Sequence, residues 1–436
     1  MAENKIRLPG QNALTALLLL NEDEDVVLDL LPMCDMFTLI ESIDSNSISA
    51  VCKISDLSDI INRFPLTGDE IVVASWKTET NTSKETINRE CVLRIVDINN
   101  IGHSVESAGI GIEISLISEY AYKQAFHNVD EAFSTNIKDA VEKVHAKALS
   151  NRLENAFEAE DFKIYRPEFN AVIADDTVGV FDFIIPSETP FKAMEYLVGW
   201  ASNPSATKSD IWFYYQTLDG FKFTNFEALF AAPFNAETHT YHLRGSFNPT
   251  DINALYTISS MRQLSRSNLF NLGSTGRLRS QVKELSYTHK RVETTEYNFL
   301  DEDYNMEGKE LIMSEKFKKT LALVPTETHW VYRDSTTTDF TVNDFLPHKW
   351  SMQRIVRNNT VQIKVPGNAD LAAGHILDIN IKRPFSIGKN NEKPLDKTLS
   401  GKYIIKDLIH MFTPSTYTQE VTLIRPGAVD ASKVEE

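Results

Sequence analysis

Apolar and polar positions alternate in a strand-like way at both ends of the chain. Near the start, Val26 to Leu31, Met36 to Ile43, Ser47 to Ile54, Glu70 to Trp76, Glu90 to Ile98 and Gly111 to Ile117 are strand-length runs. A short helix, Asp56 to Asn62 with Ser55 as N-cap, interrupts them, and the turn Pro65-Leu66-Thr67-Gly68-Asp69 feeds the next strand. Six strands with one embedded helix predict a small barrel or split barrel. Near the end, Val361 to Pro366, His375 to Lys382, Ser400 to Phe412 and Thr416 to Arg425 are again strand-length. The turn chemistry of Pro366-Gly367-Asn368 and Pro414-Ser415 predicts an antiparallel meander. Tyr403, Ile405, Leu408, Val421 and Leu423 sit at or near period-two spacing, so one face is buried.

The period changes in between. Asn136 to Leu149 carries Ile137, Ala140, Val141, Val144 and Ala148 on one helical stripe. Ser187 or Thr189 caps a second helix that has Pro190 in its first turn and runs through Phe191, Met194, Leu197, Val198 and Ala201. Ile211 to Gln216, the Asp219-Gly220 turn and Phe221 to Phe223 predict a hairpin packed on that helix. A helix is expected over Asp251 to Leu269, followed by a break at Gly273-Ser274-Thr275-Gly276. Arg277 to Tyr297 reads as extended and is expected to lend strands to the C-terminal sheet. Residues 300–358 read as an irregular excursion, closed by a helix over Pro347 to Asn358 that carries Trp350, Ile355 and Val356 into that sheet.

The predicted fold class is therefore α+β and β-rich: two β-barrel domains with an inserted α/β middle region. The division is 1–125 for the first barrel, 126–240 for the helical and α/β middle, and 241–300 for a linker helix with strands of the second barrel. Residues 301–358 form the irregular insertion, and 359–436 form the second barrel and C-terminal tail. At 436 residues, 42% hydrophobic and 24% charged, with 17 Gly, 16 Pro and no low-complexity tract, collagen-like, disordered and solenoid classes are excluded.

Charge changes the picture further. Lys and Arg total 44 against 61 Asp and Glu, a net charge of −17, so the surface repels phosphates. Gripping DNA is disfavoured; conducting it is not, because an acid-lined passage lets a polyanion slide. Cys34, Cys52 and Cys91 lie in or beside apolar runs, odd in number and irregular in spacing, and read as reduced core residues. Ala13 to Leu20 is apolar but too short to span a bilayer, so no membrane insertion is expected.

Candidate chemistry is sparse. Asp301, Asp303 and Asn305 alternate like a calcium loop, but Met306 stands where glycine is required and the first glycine is Gly308. Gly273 to Gly276 with Arg277 lacks the ending of a phosphate loop. His239 and His242 do not have the spacing of a zinc-binding helix, so no metal site is implied. Glu158, Glu160 and Asp161, or Asp175 and Asp176, are carboxylates whose spacing says nothing for or against a glycosidase pair. Trp212, Phe213, Tyr214, Tyr215, Phe221 and Phe223 have only Lys222 interleaved and read as a hydrophobic sheet face, not a base-stacking platform. No catalytic, cofactor-binding or metal residue is assigned.

The order of parts carries a resemblance. Phe37-Thr38-Leu39-Ile40-Glu41-Ser42-Ile43, Ile54-Ser55-Asp56 and Pro65-Leu66-Thr67-Gly68-Asp69-Glu70 come first. Pro186-Ser187-Glu188-Thr189-Pro190-Phe191, Phe213-Tyr214-Tyr215-Gln216 and Asp219-Gly220-Phe221 follow. Val365-Pro366-Gly367-Asn368 and Leu399-Ser400-Gly401-Lys402-Tyr403-Ile404-Ile405 complete it. This succession resembles the central baseplate hub proteins of contractile-tailed bacteriophages, whose fold is shared with the base of type VI secretion spikes. The likeness covers most of the chain apart from residues 300–358.

The resemblance implies a non-enzymatic homotrimer in which each chain contributes two tube-forming barrels around a channel. It implies a tail tube protein, a central spike protein and other baseplate proteins as partners, with DNA as passing cargo only. It places the protein in the virion tail baseplate after assembly in the host cytoplasm. The alternatives are a secretion-system spike base, a tail-associated cell-wall hydrolase, and a β-rich binding protein unrelated to tails.

Overall fold

The computed structural model describes residues 10–11, 13–21, 27–56, 64, 66, 68, 70–79, 86–103, 110–147, 157–159, 162–164, 172–203, 211–233, 236–243, 252–266, 269–286, 290–299, 327–333, 342–382, 394–396 and 398–427. The first group of strands is β1 (Leu14–Leu20), β2 (Val27–Asp29), β3 (Cys34–Ser42), β4 (Ser49–Asp56), β5 (Ile71–Glu79), β6 (Thr86–His103) and β7 (Ile110–Ser118). They pair antiparallel in the order β3-β4-β7-β6-β5-β1-β2. Each strand turns alternate side chains inward, so Leu17, Phe37, Leu39, Cys52, Val72, Ala74, Trp76, Leu93, Ile95 and Ile114 share one core. A sheet whose inward positions all meet in one cluster is curled.

The middle region begins with α1 (Glu119–Gln124), β8 (Val129–Thr135) and α2 (Ile137–His145), followed by β9 (Phe157–Ala159), β10 (Phe162–Ile164), β11 (Val172–Ala174) and β12 (Phe181–Glu188). It continues through α3 (Pro190–Trp200), β13 (Trp212–Thr217), β14 (Gly220–Asn225) and α4 (Phe226–Ala231). Asn136 caps α2 by accepting the Asp139 backbone N–H (2.7 Å), and Ile137, Ala140, Val141 and Val144 face the core as the stripe requires. Pro190 opens α3, and the Asp219-Gly220 hairpin joins β13 to β14 as expected.

Next come α5 (Ala236–His239), β15 (Thr240–Leu243), β16 (Thr257–Ile258), β17 (Ser260–Ser265), α6 (Leu269–Ser274), β18 (Arg279–Ser286), β19 (Arg291–Asn298), β20 (Glu327–Arg333) and α7 (Val342–Ile355). The chain closes with β21 (Asn359–Pro366), β22 (Ile376–Asn380), β23 (Gly401–Phe412) and β24 (Tyr417–Arg425). The second curled region runs β17-β21-β24-β23-β22-β15-β16, and Tyr241, Ile258, Ile363, Leu377, Tyr403, Ile405, Val421 and Leu423 meet inside it. β23 also pairs with β3, Asp407 to Phe412 against Ser42 to Phe37, which fuses both regions into one 14-stranded sheet. The architecture is β-rich and built on a curled sheet that is continuous between the two ends of the chain.

Several expectations are overturned. The C-terminal strands are not a meander: β21 pairs with β24 and β17, and β22 lies beyond β23. The Gly367-Asn368 segment crosses the start of β24 instead of forming a hairpin. Gly367 N–H donates to the Tyr417 carbonyl (2.9 Å), and the Gln419 side chain bonds both Asn368 N–H (2.9 Å) and the Asn368 carbonyl (2.8 Å). The helix expected over Asp251 to Leu269 is a 3-10 turn, Ile252–Tyr256, followed by β16 and β17, because Ile258 is buried in the second core and β17 hydrogen-bonds along β21. Arg277 to Tyr297 lends no strand to that sheet. β18 and β19 form a hairpin in a separate three-stranded sheet, where β20, from the stretch read as irregular, runs parallel to β18. Ala13 to Leu20, read only as an apolar run, is β1. Of the helix expected at Asp56 to Asn62, only Asp56 lies within the described residues, and it ends β4.

Candidate functional site

The β3–β23 seam is where the two curled regions meet, and its side chains explain how they are held. Phe412 projects from the end of β23 into the first core, 5.4 Å from the Trp76 ring, 5.9 Å from Phe37 and stacked at 4.3 Å on Tyr417. Behind these rings the seam becomes polar. Glu41 and His410 are both 0% exposed, with His410 Nε2 3.5 Å from Glu41 Oε1. Glu41 Oε2 accepts from Ala373 N–H (3.3 Å), and His410 Nδ1 lies 2.9 Å from the Tyr417 hydroxyl. Asn368 Nδ2 donates to the Tyr241 hydroxyl (3.2 Å), extending the network into the second core. Burial pushes the Tyr417 and Tyr241 hydroxyls well up, so both stay protonated. Glu41 Oε1 and His410 Nε2 make no hydrogen bond of their own, so the setting of the sheets is fixed by the bonds that Glu41 Oε2, His410 Nδ1, Tyr417, Gln419, Asn368 and Tyr241 make around them.

The β13–β14 hairpin wedges against this seam. β13 is buried on both faces: Trp212 and Tyr214 enter the middle-region core, while Phe213 and Tyr215 enter a cluster with Met352, Ile404 and Ile424. The Tyr215 ring runs so close to Gly374, at φ +85°, that a Cβ there would sit 2.2 Å from the hydroxyl. Arg89 of β6 reaches Asp219 in the hairpin turn (2.5 Å) and the Ala369 carbonyl (3.0 Å). Lys349 of α7 donates to the Val198 and Gly199 carbonyls at the end of α3 (2.6 and 2.8 Å).

A cavity of about 580 Å³ opens between these parts, lined by Ile43, Asp44, Asn46, Glu195, Val198, Ile211, Trp212, Phe213, Tyr214, Arg277, Gln353, Arg354 and Arg357. Its two carboxylates are engaged. Asp44 holds Arg357 (2.6 Å) and Lys406 (3.3 Å), and Glu195 accepts from Asn46 Nδ2 (3.1 Å). Arg277 stacks on Trp350 at 3.4 Å and donates to its carbonyl (2.6 Å). These contacts tie the β3–β4 turn, α3 and α7 together.

The other residues weighed by sequence are dispersed. Asp175 accepts from the Thr224 hydroxyl (2.5 Å) and Asn225 N–H (3.3 Å), and Asp176 pairs with Lys138 at the surface. Glu158 lies on β9, whose side chains are not described; Glu160, Asp161, Asp301, Asp303 and Asn305 lie outside the described residues. His239 Nε2 is 3.7 Å from Asp370 and its ring stands edge-on to His375 at 5.8 Å, while His242 lies on β15. Among the described residues no group of His, Cys, Asp and Glu is arranged to hold a metal ion, and no helix is long and apolar enough to cross a membrane. Gly273 lies in the last turn of α6, and Arg277 N–H closes that turn on the Leu272 carbonyl (2.9 Å). All six aromatic residues of the β13–β14 cluster are buried, as a sheet face and not a platform. Glu41 and His410, the centre of the seam, carried no sequence signal beyond a polar residue in each of two apolar runs.

No family model matches the chain, and no curated protein matches it by sequence. Among solved structures it is similar to the 43 kDa tail protein of prophage MuSo2 from Shewanella oneidensis, at 10% identity over 94% of this chain and 98% of that one, with a TM-score of 0.52. The tail protein from Neisseria meningitidis MC58 aligns over 94% of this chain and 96% of that one, at 12% identity and a TM-score of 0.49. A chain of the half-lidded Francisella PdpA-VgrG complex aligns over 99% of this chain and 61% of that one, at 8% identity and a TM-score of 0.43. The chain has the fold of the MuSo2 tail protein, and the resemblance to phage baseplate hub proteins carried by its residues is borne out at the level of fold.

Proposed function

We propose that this chain is a structural protein of a phage tail, a baseplate hub that joins the tail tube to the central spike. In this reading three copies surround an axial channel, and the two curled regions of each copy stand as tube-forming barrels in its wall. The observation that carries the reading is the seam: β3 and β23 make one continuous sheet from both ends of the chain. A wall that must hold its shape needs its two halves set rigidly, and backbone pairing plus a buried polar cluster supplies this.

Barrel closure is supported in each half. In the second, only Ser259 separates β16, paired with β15, from β17, paired with β21, so the circuit of pairs returns on itself. In the first, Gln11 bridges to Thr416 beside the seam. Closure removes open sheet edges, and cyclic heterologous contacts between copies end in a ring instead of a fibre. The proposed division follows the sequence reading, with β18 and β19 reassigned to the sheet that holds β20.

The role is mechanical and electrostatic, with no catalytic step: the carboxylates lining the cavity are committed to Arg357, Lys406 and Asn46. Three copies multiply the −17 charge, and an acidic lumen lets DNA pass without adhering. The tube protein, the spike protein and other baseplate proteins are the partners, the virion tail is the location, and DNA is transient cargo. Cryo-electron microscopy of tails that contain this protein tests the proposal. Three copies around an axial hole between tube and spike are expected; density away from the tail axis overturns it.

A further inference from the structure

β13 is the outer strand of its small sheet. The order there is β11-β14-β13, and among the described residues no strand pairs with the far edge of β13. The Phe226 N–H donates to the Ile211 carbonyl (3.0 Å), so antiparallel alternation turns the backbone groups of Phe213 and Tyr215 toward β14 and those of Trp212 and Tyr214 toward the open edge. The cavity of about 580 Å³ lies along that edge. Its lining takes Ile43 from the face of β13 where Ile211 and Phe213 pack, and Val198 from the face where Trp212 and Tyr214 pack. A strand covered on both faces and open at one edge offers backbone donors and acceptors to whatever enters. The lining also carries charge. Arg277, Arg354 and Arg357 stand there with two carboxylates, Asp44 and Glu195. Arg357 is held by Asp44, and Arg277 lies on the Trp350 ring. Arg354 is exposed in the last turn of α7 and forms no ion pair among the described residues. It also lines, with Arg357, Lys406 and Asp407, a second cavity of about 380 Å³. The two cavities together thus hold four cations against three carboxylates, on a chain whose net charge is −17.

We propose that this cavity is a docking site for a partner protein, which inserts a short extended segment bearing carboxylates at alternate positions. The segment continues the β11-β14-β13 sheet by pairing with the backbone of Trp212 and Tyr214, the mode by which sheet edges capture peptides. Each half of the lining selects something different. The backbone edge favours a peptide over a free anion, and the excess of guanidinium groups favours an acidic peptide, whose carboxylates the planar fork of Arg354 can bind through two parallel hydrogen bonds. Alternate side chains of an extended segment share one face, so acidic residues at every second position reach the arginines together while the residues between them turn to the opposite face. A cavity of this volume, in the range of small-ligand pockets, takes a few residues and not a long strand. The site needs only β13, α7 and their charges, so it stands or falls independently of the tail reading.

Fluorescence anisotropy of the full-length protein with a capped, fluorescein-labelled hexapeptide of alternating Glu and Val tests the proposal. The matching Lys and Val peptide, and the Glu and Val peptide methylated at every backbone nitrogen, are the controls. The Glu peptide should bind saturably and the Lys peptide should not. Backbone methylation should weaken binding about tenfold or more, and Arg354→Glu should do the same. Deuterium exchange with the Glu peptide bound should show new protection at residues 212–214. A circular dichroism melt verifies that the variant folds; if it does not, the wild-type exchange map decides by itself. Absence of binding by the Glu peptide, equal binding by either control, unchanged affinity in a folded Arg354→Glu variant, or protection only elsewhere would each overturn the proposal. So would sedimentation of a self-associated protein that is already protected at 212–214 and excludes the peptide, since a second copy would then fill the cavity.

Discussion

The first curled region draws β1 to β7 from one stretch of chain, residues 14–118, whereas the second gathers β15 to β17 from 240–265 and β21 to β24 from 359–425. In the first, chain neighbours such as β3 and β4, β5 and β6, and β6 and β7 pair antiparallel. In the second, β15 runs parallel to both its partners, and β21 is separated from β22 by the β23–β24 hairpin. The difference is one of where specificity resides. Local alternation and turns nearly determine the first region, while the second depends on a few side chains that make its chain crossing and its seam the lowest-energy arrangement. Perturbing those side chains should therefore damage the second region and the seam more than comparable changes damage the first.

The largest effect is expected at the seam itself. Glu41→Ala strands His410 and the Ala373 N–H in a dry junction, and removing one member of a buried pair costs about 3–5 kcal/mol. Denaturant unfolding should show this loss; a cost under about 1 kcal/mol would mean that the pair does not hold the seam.

Acid should separate the two regions next. Burial holds His348 on α7 and His375 before β22 down to about 4 from an ordinary 6.5, and Lys222 and His239 add to the effect at His375. Both groups are neutral in the folded protein, so the unfolded chain alone takes up protons as pH falls below 6.5. Stability should thus be full above 6.5, decline toward pH 4 and level off below, with a loss of about 3 kcal/mol for each group. Neither residue belongs to the first region. Amide exchange at pH 5 should rise first around β22 and α7; equal loosening of β5 and β6 would contradict the assignment.

A pair of glycine substitutions sharpens the comparison. A Cβ at Gly367 would lie 2.0 Å from the Tyr417 ring, whereas one at Gly111 in β7 meets only the Gly102 carbonyl at 4.0 Å. Gly367→Ala should cost roughly 1–3 kcal/mol, and Gly111→Ala less than about 1 kcal/mol in either direction. Matched melting curves would check both. The smallest effect is expected from Arg357→Ala, which opens the partly exposed pair with Asp44 at the cavity mouth. Its cost should stay below about 1 kcal/mol and shrink further in salt.

The same division explains what could be read in the sequence. The six predicted strands of the first region exist because alternation along Phe37, Leu39 and Glu41, or Ile112, Ile114 and Leu116, survives folding unchanged. β1 escaped because Leu17, Leu18, Leu19 and Leu20 are all buried: both faces of the strand are covered, and alternation disappears. At Asp251 to Leu269 the apolar spacing of Ile252, Leu255 and Tyr256 has a helical period that the chain uses for only one 3-10 turn. Pro366-Gly367-Asn368 has hairpin chemistry, yet its glycine serves the close passage of Tyr417 instead.

The seam was illegible for a simpler reason. Ser42 and Asp407, which hydrogen-bond at 2.6 Å, are 365 positions apart, and no local pattern encodes such a pairing. The burial of the aromatic cluster was legible, because six aromatic residues with a single interleaved cation, Lys222, are best satisfied inside. That Asp175 would serve Thr224 and the start of α4 was not.

Hydrogen–deuterium exchange across β3 and β23 tests the central claim most directly. If the curled regions are one continuous wall, amides of Phe37 to Ser42 and Asp407 to Phe412 should exchange slowly and with the same opening free energy, and denaturant should lower both together. Fast exchange at this seam while β5–β6 and β21–β24 stay protected would show two independent units, and would contradict the account.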